Sequence, residues 1–181
     1  EKWYGLSRPV HAGSIINKGN AGDTAVLDKL AAIVSDELQA PMVRAAAIST
    51  LANFSGLEVG KILKPVLGHT DPLIRLNAAR SFNPVSIQDM KDTYLQLLHD
   101  PIRPVRMEAA YLLSQIYGEI NDSLQRKALD NAIREYEQSM KYTGDFAASR
   151  HNLGNLYRNL NRLEDAEEQF RIALQIDDRF Y

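Results

Sequence analysis

Three times in this 181-residue chain a branched aliphatic residue directly precedes an arginine, at Val43-Arg44, Ile74-Arg75 and Val105-Arg106. Successive arginines stand 31 residues apart both times (75 − 44 and 106 − 75). A fixed period of this size marks stacked supersecondary units, because one such unit cannot bury its apolar face alone. The match runs past the dipeptide. Alanine follows three residues after each arginine (Ala47, Ala78, Ala109), and a large apolar residue follows seven after (Leu51, Phe82, Leu113). Two small residues also adjoin in every copy, as Ala46-Ala47, Ala78-Ala79 and Ala109-Ala110. Offsets of three, four and seven place side chains on one helical face. Alanines there let a second helix approach closely, and the larger residue fills the end of the contact.

Composition fits a soluble, mostly helical chain: 45 % of residues are hydrophobic, 24 % are charged, and the net charge is −2. Lysines and arginines are dispersed, so the basic footprint of a nucleic-acid binder is missing. No apolar stretch approaches the roughly 20 residues that span a bilayer, which argues against membrane insertion. The chain has no cysteine, so it offers no disulfide, thiolate metal site or covalent haem attachment. It opens at Glu1 with neither methionine nor signal peptide, as expected of a processed product or an excised fragment.

The lead, residues 1–22, carries Gly5, Pro9, Gly13 and Gly19 with Trp3 and Tyr4, and reads as a loop or linker whose aromatics pack on the first helix. From Asp23 the positions Ala25, Val26, Leu30, Ile33 and Val34 give an amphipathic helix, with Asp23 or Thr24 as N-cap. Pro41 opens a helix that runs to about Asn53, and Gly56 punctuates. Val59, Ile62, Leu63, Val66 and Leu67 form the next helix, with a bend or late start imposed by Pro65. Asp71-Pro72 and Asp100-Pro101 read as helix starts, since Asp caps free N–H groups and proline at the first position loses no bond. Between them Asn83-Pro84 ends one helix, and Ile87, Met90, Tyr94, Leu97 and Leu98 mark the apolar face of another. Two extra residues separate Asp100 from Arg106 relative to Asp71 and Arg75, which predicts a turn or short 3₁₀ segment before the third Val-Arg helix.

Residues 23–121, on Asp71-Pro-Leu-Ile-Arg75 with Ala78-Ala79 and on Asp100-Pro-Ile with Val105-Arg106 and Ala109-Ala110, resemble short HEAT-like repeats. The resemblance implies that Arg44, Asp71, Arg75, Asp100 and Arg106 form a structural ladder holding helix ends together. The first copy departs, with Ala40-Pro41 in place of Asp-Pro. The plainer reading leaves these arginines solvated, where exposed ion pairs contribute only about 0–1 kcal/mol.

A second repeat type follows in residues 122–181. Leu153, Gly154, Tyr157, Ala166, Phe170 and Ala173 sit with the spacings of a tetratricopeptide repeat (TPR), which they resemble over 147–180. Gly154 suits close approach of the paired helix, and the turn falls at Asn161-Arg162. Arg150 stands where a bulky apolar residue is usual, and Asp178 where proline is usual. Thirty-four residues earlier (166 − 132), Ala132, Tyr136 and Ser139 match Ala166, Phe170 and Ala173, so 122–144 resembles a degenerate half repeat. Its first helix does not match, which makes the last HEAT-like helix, ending near Tyr117, the expected partner of the helix from about Ser123 to Tyr142. The fold so implied is all-α, a right-handed α-α superhelix (solenoid) of HEAT-like helix pairs continuing into TPR helix pairs.

The order of segments, with His11-Ala-Gly, the Val-Arg copies and Asn152-Leu-Gly-Asn-Leu-Tyr157, resembles the C-terminal part of bacterial TPR proteins linked to a multihaem cytochrome c region. That implies a periplasmic or extracytoplasmic location and haem in an upstream region, with no cofactor in these residues. His11 could approach such a haem, although a lone loop histidine is ordinarily a hydrogen-bonding or solvated group. By resemblance the TPR groove would bind protein or peptide through His151, Asn152, Asn155, Arg158 and Asn159. Asn155 offers donor and acceptor to a peptide backbone, and Arg158 can pair with a carboxylate. Asparagines at these positions also serve helix packing.

Residues with catalytic potential are scattered. His11, His69, His99 and His151 form no metal-binding pair at helical spacing, and His69 and His99 suit capping or solvent contact at helix junctions. Ser14, Ser49, Ser55, Ser81 and Ser86 lie in no nucleophile elbow. Gly19-Asn-Ala-Gly22 lacks the lysine and spacing of a phosphate loop, and Glu164, Asp165, Glu167 and Glu168 read as a solvated face. The function expected is therefore a non-catalytic protein-interaction scaffold. The alternative is an accessory or catalytic domain related to HEAT-repeat bilin lyases, which carries no visible site and leaves the TPR unexplained. The apolar edge of helix 164–176 is expected to favour self-association through the last helices.

Overall fold

The structure is a computed structural model that describes residues 11–54 and 56–179. The described residues form ten α-helices and no strand, so the fold is all-α. None of these helices is long and apolar enough to cross a membrane. The chain divides into two compact units, one ending at Pro84 and one starting at Val85. The sequence boundary at 121/122 between repeat types thus lies inside the second unit.

The first unit comprises α1 (Ala12–Asn20), α2 (Leu27–Ser35), α3 (Pro41–Leu51), α4 (Leu57–Leu63) and α5 (Pro72–Ser81). Helix α3 is its centre and packs against α1, α2 and α5. The lead was expected to be a loop, yet residues 12–20 are helical. Gly13 and Gly19, which punctuate a sequence on average, here lie inside a helix because tertiary packing outweighs their weak propensity. At Gly19 a Cβ would come within 2.5 Å of the Thr50 methyl and 3.0 Å of a Leu30 methyl, so only glycine lets α1 close on α2 and α3. His11 caps this helix, its Nδ1 accepting from Gly13 N at 3.1 Å. Trp3 and Tyr4 lie outside the described residues, as does Ser55.

Asp23 caps a 3₁₀ turn (Thr24–Val26) that leads into α2, whose Leu30, Ile33 and Val34 are buried as the periodicity required. Pro65 acts where expected. The α-helical pattern stops at Leu63 and continues as 3₁₀ over Lys64–Gly68, which needs no i−4 bond from the proline. Asp71 then caps α5, its Oδ1 accepting from Leu73 N at 2.8 Å, with Pro72 in the first turn.

The second unit comprises α6 (Ile87–Tyr94), α7 (Arg103–Ser114), α8 (Ser123–Tyr142), α9 (Ala147–Asn159) and α10 (Leu163–Ile176). Helix α7 packs on α6 and α8, α8 on α9, and α9 most extensively on α10. The predicted pairing of the third Val-Arg helix with the helix starting at Ser123 is therefore present. Asp100 caps Ile102 N at 2.8 Å, but α7 begins only at Arg103, so the two extra residues form the predicted turn. Ile87 was placed on the apolar face of α6; it is 50 % exposed at the first turn, and Thr93 takes an interior position instead.

The Val-Arg register decides burial almost position by position. Ala47, Ala78 and Ala109 are fully buried, and Leu51, Phe82 and Leu113 are buried seven residues after each arginine. The adjoining small pair holds in the second and third copies, where Ala79 and Ala110 are buried. In the first copy Ala46 is exposed, because it lies two residues after Arg44, and the interior position is filled by Ile48.

Helices α9 and α10 are joined by a tight turn at the expected Asn161-Arg162. Asn161 adopts φ 58°, and Arg162 N donates to Tyr157 O at 2.8 Å while Asn161 N donates to Arg158 O at 3.0 Å, a Schellman closure. Gly154 faces Phe170 so closely that a Cβ would lie 2.5–2.9 Å from three ring carbons. Gly154→Ala should gain helix propensity yet lose about 1–3 kcal/mol through overpacking against that ring. Urea unfolding should show a lower midpoint at unchanged slope; an unchanged or higher midpoint would mean that the α9–α10 contact tolerates a methyl group.

Candidate functional site

The five residues of the predicted ladder all sit where one helical element ends and the next begins. Arg44 is 7 % exposed and Arg75 9 %, so neither is the solvated side chain of the plainer reading. Arg44 Nε donates to Val34 O at 2.9 Å, in the last turn of α2. An Nη of Arg75 donates to His69 O at 2.7 Å and Thr70 O at 2.9 Å, and one of Arg106 donates to Asp100 O at 2.8 Å. These are carbonyls that an ending helical segment or its linker leaves unpaired. Asp71 and Asp100 supply the complementary service, capping N–H groups of the segment that follows.

The same device recurs at two arginines that lie outside the 31-residue register. Arg126 donates to Ile120 O at 3.0 and 2.6 Å and to Tyr117 O at 2.7 Å, and its guanidinium lies 3.9 Å from the Tyr117 ring centroid. Arg150 donates to Gly144 O at 2.8 Å and to Gln169 Oε1 at 3.0 Å, tying α9 to α10. This explains why an arginine occupies a position where a bulky apolar residue was expected. All five arginines are the fourth residue of their helix: α3, α5, α7, α8 and α9 start at Pro41, Pro72, Arg103, Ser123 and Ala147. The signal was present in the sequence as an arginine shortly after each helix break, but its spacings of 20 (126 − 106) and 24 (150 − 126) fit neither repeat period.

Arg106 does more than bind a carbonyl. Its Nε and an Nη donate to the two carboxylate oxygens of Glu135 at 3.0 and 2.7 Å, fastening α7 to α8. That hydrogen bonding, reinforced by the nearby negative charges, raises the guanidinium pKa above its ordinary value. The two side chains are 23 % and 31 % exposed, so screening by solvent limits the energy of the pair.

The five groove residues on α9 separate into two groups. His151 is half-buried, with its ring centroid 5.4 Å from that of Phe170 and the planes 55° apart. Asn159 donates through Nδ2 to Ser114 Oγ on α7 at 3.0 Å, and Ser114 is fully buried. These two serve helix packing. Asn152 and Arg158 are exposed and Asn155 is half-buried, and the side chains of the three make no hydrogen bond to another described side chain or backbone group. Spacings of three between 152, 155 and 158 keep them along one side of α9. What this face offers chemically is an amide donor and acceptor beside a guanidinium.

Other predicted roles are local. His69 Nδ1 accepts from Asp71 N at 2.9 Å, which is capping, and His99 is exposed. Of the acidic run, Glu164, Glu167 and Glu168 are exposed, while Asp165 is half-buried and binds Arg162 at 2.7 Å. The described residues contain no group of three or more His, Cys, Asp or Glu side chains able to hold a metal ion.

If the arginine–carbonyl contacts hold the helix junctions, Arg126→Met should lower stability by about 1–3 kcal/mol, since it strands the Ile120 carbonyl, takes a charged donor from that of Tyr117 and uncovers the Tyr117 ring. The exposed neighbour Lys127→Met should change it by less than about 0.5 kcal/mol. Chemical denaturation of both variants checks this, and equal losses would count against the junction role.

Compared with models of protein families, with curated proteins and with solved structures, the chain matches none.

Proposed function

We propose that the chain is a non-catalytic scaffold for protein–protein interaction, a right-handed α-α solenoid in which HEAT-like helix pairs continue into TPR-like ones. One observation carries the reading. The interior arginines and the polar residues at helix junctions are committed to intramolecular bonds, whereas Asn152, Asn155 and Arg158 present unused donors and acceptors along one side of α9. Such a row suits an extended peptide with a carboxylate near Arg158 and backbone amides opposite Asn155. The periplasmic or extracytoplasmic setting, with haem carried upstream of these residues, rests on the resemblance described above.

An array of extended peptides ending in free carboxylates, probed with the labelled chain, tests the face. The double variant Asn155→Ala, Arg158→Ala should lose about tenfold or more in affinity for the peptides that the wild type retains, because one charged and one neutral contact go together. Helicity should be unchanged, since both side chains reach solvent. Retention of the same peptides by the double variant would sink the assignment.

The self-association surface fits a second copy of this chain. Leu163 and Leu174 lie three turns apart on one stripe of α10, 55 % and 47 % exposed, with half-buried Phe170 beside them. An antiparallel α10 of a second copy sets Leu163 against Leu174 and brings Arg171 near the partner copy's Glu167 on both sides, an isologous match. Sedimentation velocity should show weight-average mass rising with concentration, and Leu174→Lys should abolish the rise. A strict monomer at high concentration would contradict it.

A further inference from the structure

A second binding feature lies away from the α9 face, on the exposed flank of α8. A cleft of about 410 Å³ opens there, bounded by Tyr117 on one side and by Leu160 and Arg162 on the other. Helix α8 forms its floor through Asp130, Ile133, Arg134 and Glu137, residues at offsets of three, four and seven that share one helical face. Two of the four charges in the cleft are already spent. Glu137 pairs with Arg162 at 3.0 Å, and Arg162 also binds Asp165 and lies 4.1 Å from the Tyr157 ring centroid.

The other two are opposite in sign and not paired with each other. Asp130 Oδ1 accepts from the Tyr117 hydroxyl at 2.9 Å, and Arg134 donates to the Asn131 side-chain oxygen. Neither has an ion-pair partner among the described residues. An acid four residues ahead of a base is the favourable orientation for an intrahelical pair, yet here the tyrosine and the asparagine hold the two apart. Tyr117 is itself held by Arg126, whose guanidinium lies 3.9 Å from its ring centroid and donates to its carbonyl. With two carboxylates and two guanidinium groups the cleft is neutral as a whole, which favours a dipolar ligand over one with net charge. Ile133 and Leu160 add a small apolar part to the lining.

We propose that this cleft binds small zwitterions of the amino-acid type, the ligand ammonium at Asp130, its carboxylate at Arg134 and its apolar side chain on Ile133 and Leu160. The volume suits one or two amino-acid residues. Free amino acids and short peptides share this chemistry. The claim is independent of the peptide face on α9, because no residue is common to both.

Nuclear magnetic resonance titration of the isotope-labelled chain with L-leucine, and separately with leucyl-leucine, tests it. Amide shifts should localise to the Tyr117 turn, residues 130–137 and the Leu160–Arg162 turn, and the stronger binder tells free amino acid from peptide. N-acetyl-leucinamide, which lacks both charges, should leave those signals in place. Arg134→Gln alters an exposed side chain, and Asp130→Asn keeps an acceptor for the Tyr117 hydroxyl while removing the charge. Each should weaken binding about tenfold or more with the α9 signals undisturbed. The proposal is overturned if neither zwitterion gives localised shifts, if N-acetyl-leucinamide shifts them equally, or if both variants bind like the wild type.

Discussion

A guanidinium folded back onto the carbonyls that precede its own helix is the contact on which the helix junctions of this protein rest. Five helices carry an arginine as their fourth residue, and each reaches the end of the foregoing element or its linker. The position is unfavourable by itself, because the first turns of a helix carry the positive end of its dipole. The offset comes from the other side of the junction, where carbonyls without helical partners gain charged donors in surroundings that water only partly reaches. Several donors on one planar group let a single residue serve more than one acceptor, as Arg75 and Arg126 do. Lysine could not do this with the same geometry.

Once the junctions are held, the helix faces are chosen by side-chain size. Alanines at one offset bring backbones together, and larger residues seven positions after the arginine close the interface. Two glycines mark closer approaches still, Gly19 under Thr50 and Gly154 under Phe170. Both lie inside helices, where glycine costs about 1 kcal/mol in propensity, and both are held there by contact with a neighbouring element. A polar staple accompanies each. Thr50 donates to Asn20 beside Gly19, and Arg150 reaches Gln169 one turn from the Gly154–Phe170 contact.

Economy of polar groups is what singles out the surfaces proposed for binding. His151 and Asn159 resemble their neighbours Asn155 and Arg158 in composition and spacing, but an aromatic ring and a buried serine claim them. Likewise α8 repeats acidic and basic residues at helical spacing, and only some of them are discharged within the fold. Glu135 and Glu137 are held by Arg106 and Arg162, while Asp130 and Arg134, without an ion-pair partner among the described residues, lie on the floor of a cleft. Binding capacity in such a chain is what internal packing leaves over.

The sequence by itself determined the all-α class, the cap at Asp71, an interruption of the helix at Pro65, the turn at Asn161-Arg162 and most of the faces buried around each Val-Arg step. These follow from local chemistry, where proline lacks a donor, aspartate accepts from nearby N–H groups and apolar offsets choose a side. Tertiary structure alone decided the rest. It made a helix of residues 12–20, whose glycines read locally as breaks, because Leu30 and Thr50 accept a close neighbour there. It exposed Ile87, since a residue's partners lie on other elements. It also showed that Arg126 and Arg150 belong with the repeat arginines despite their spacing, and divided the α9 face into packed and open side chains. Periodicity tells which side of a helix is apolar; only the neighbours determine which polar groups on the other side are satisfied.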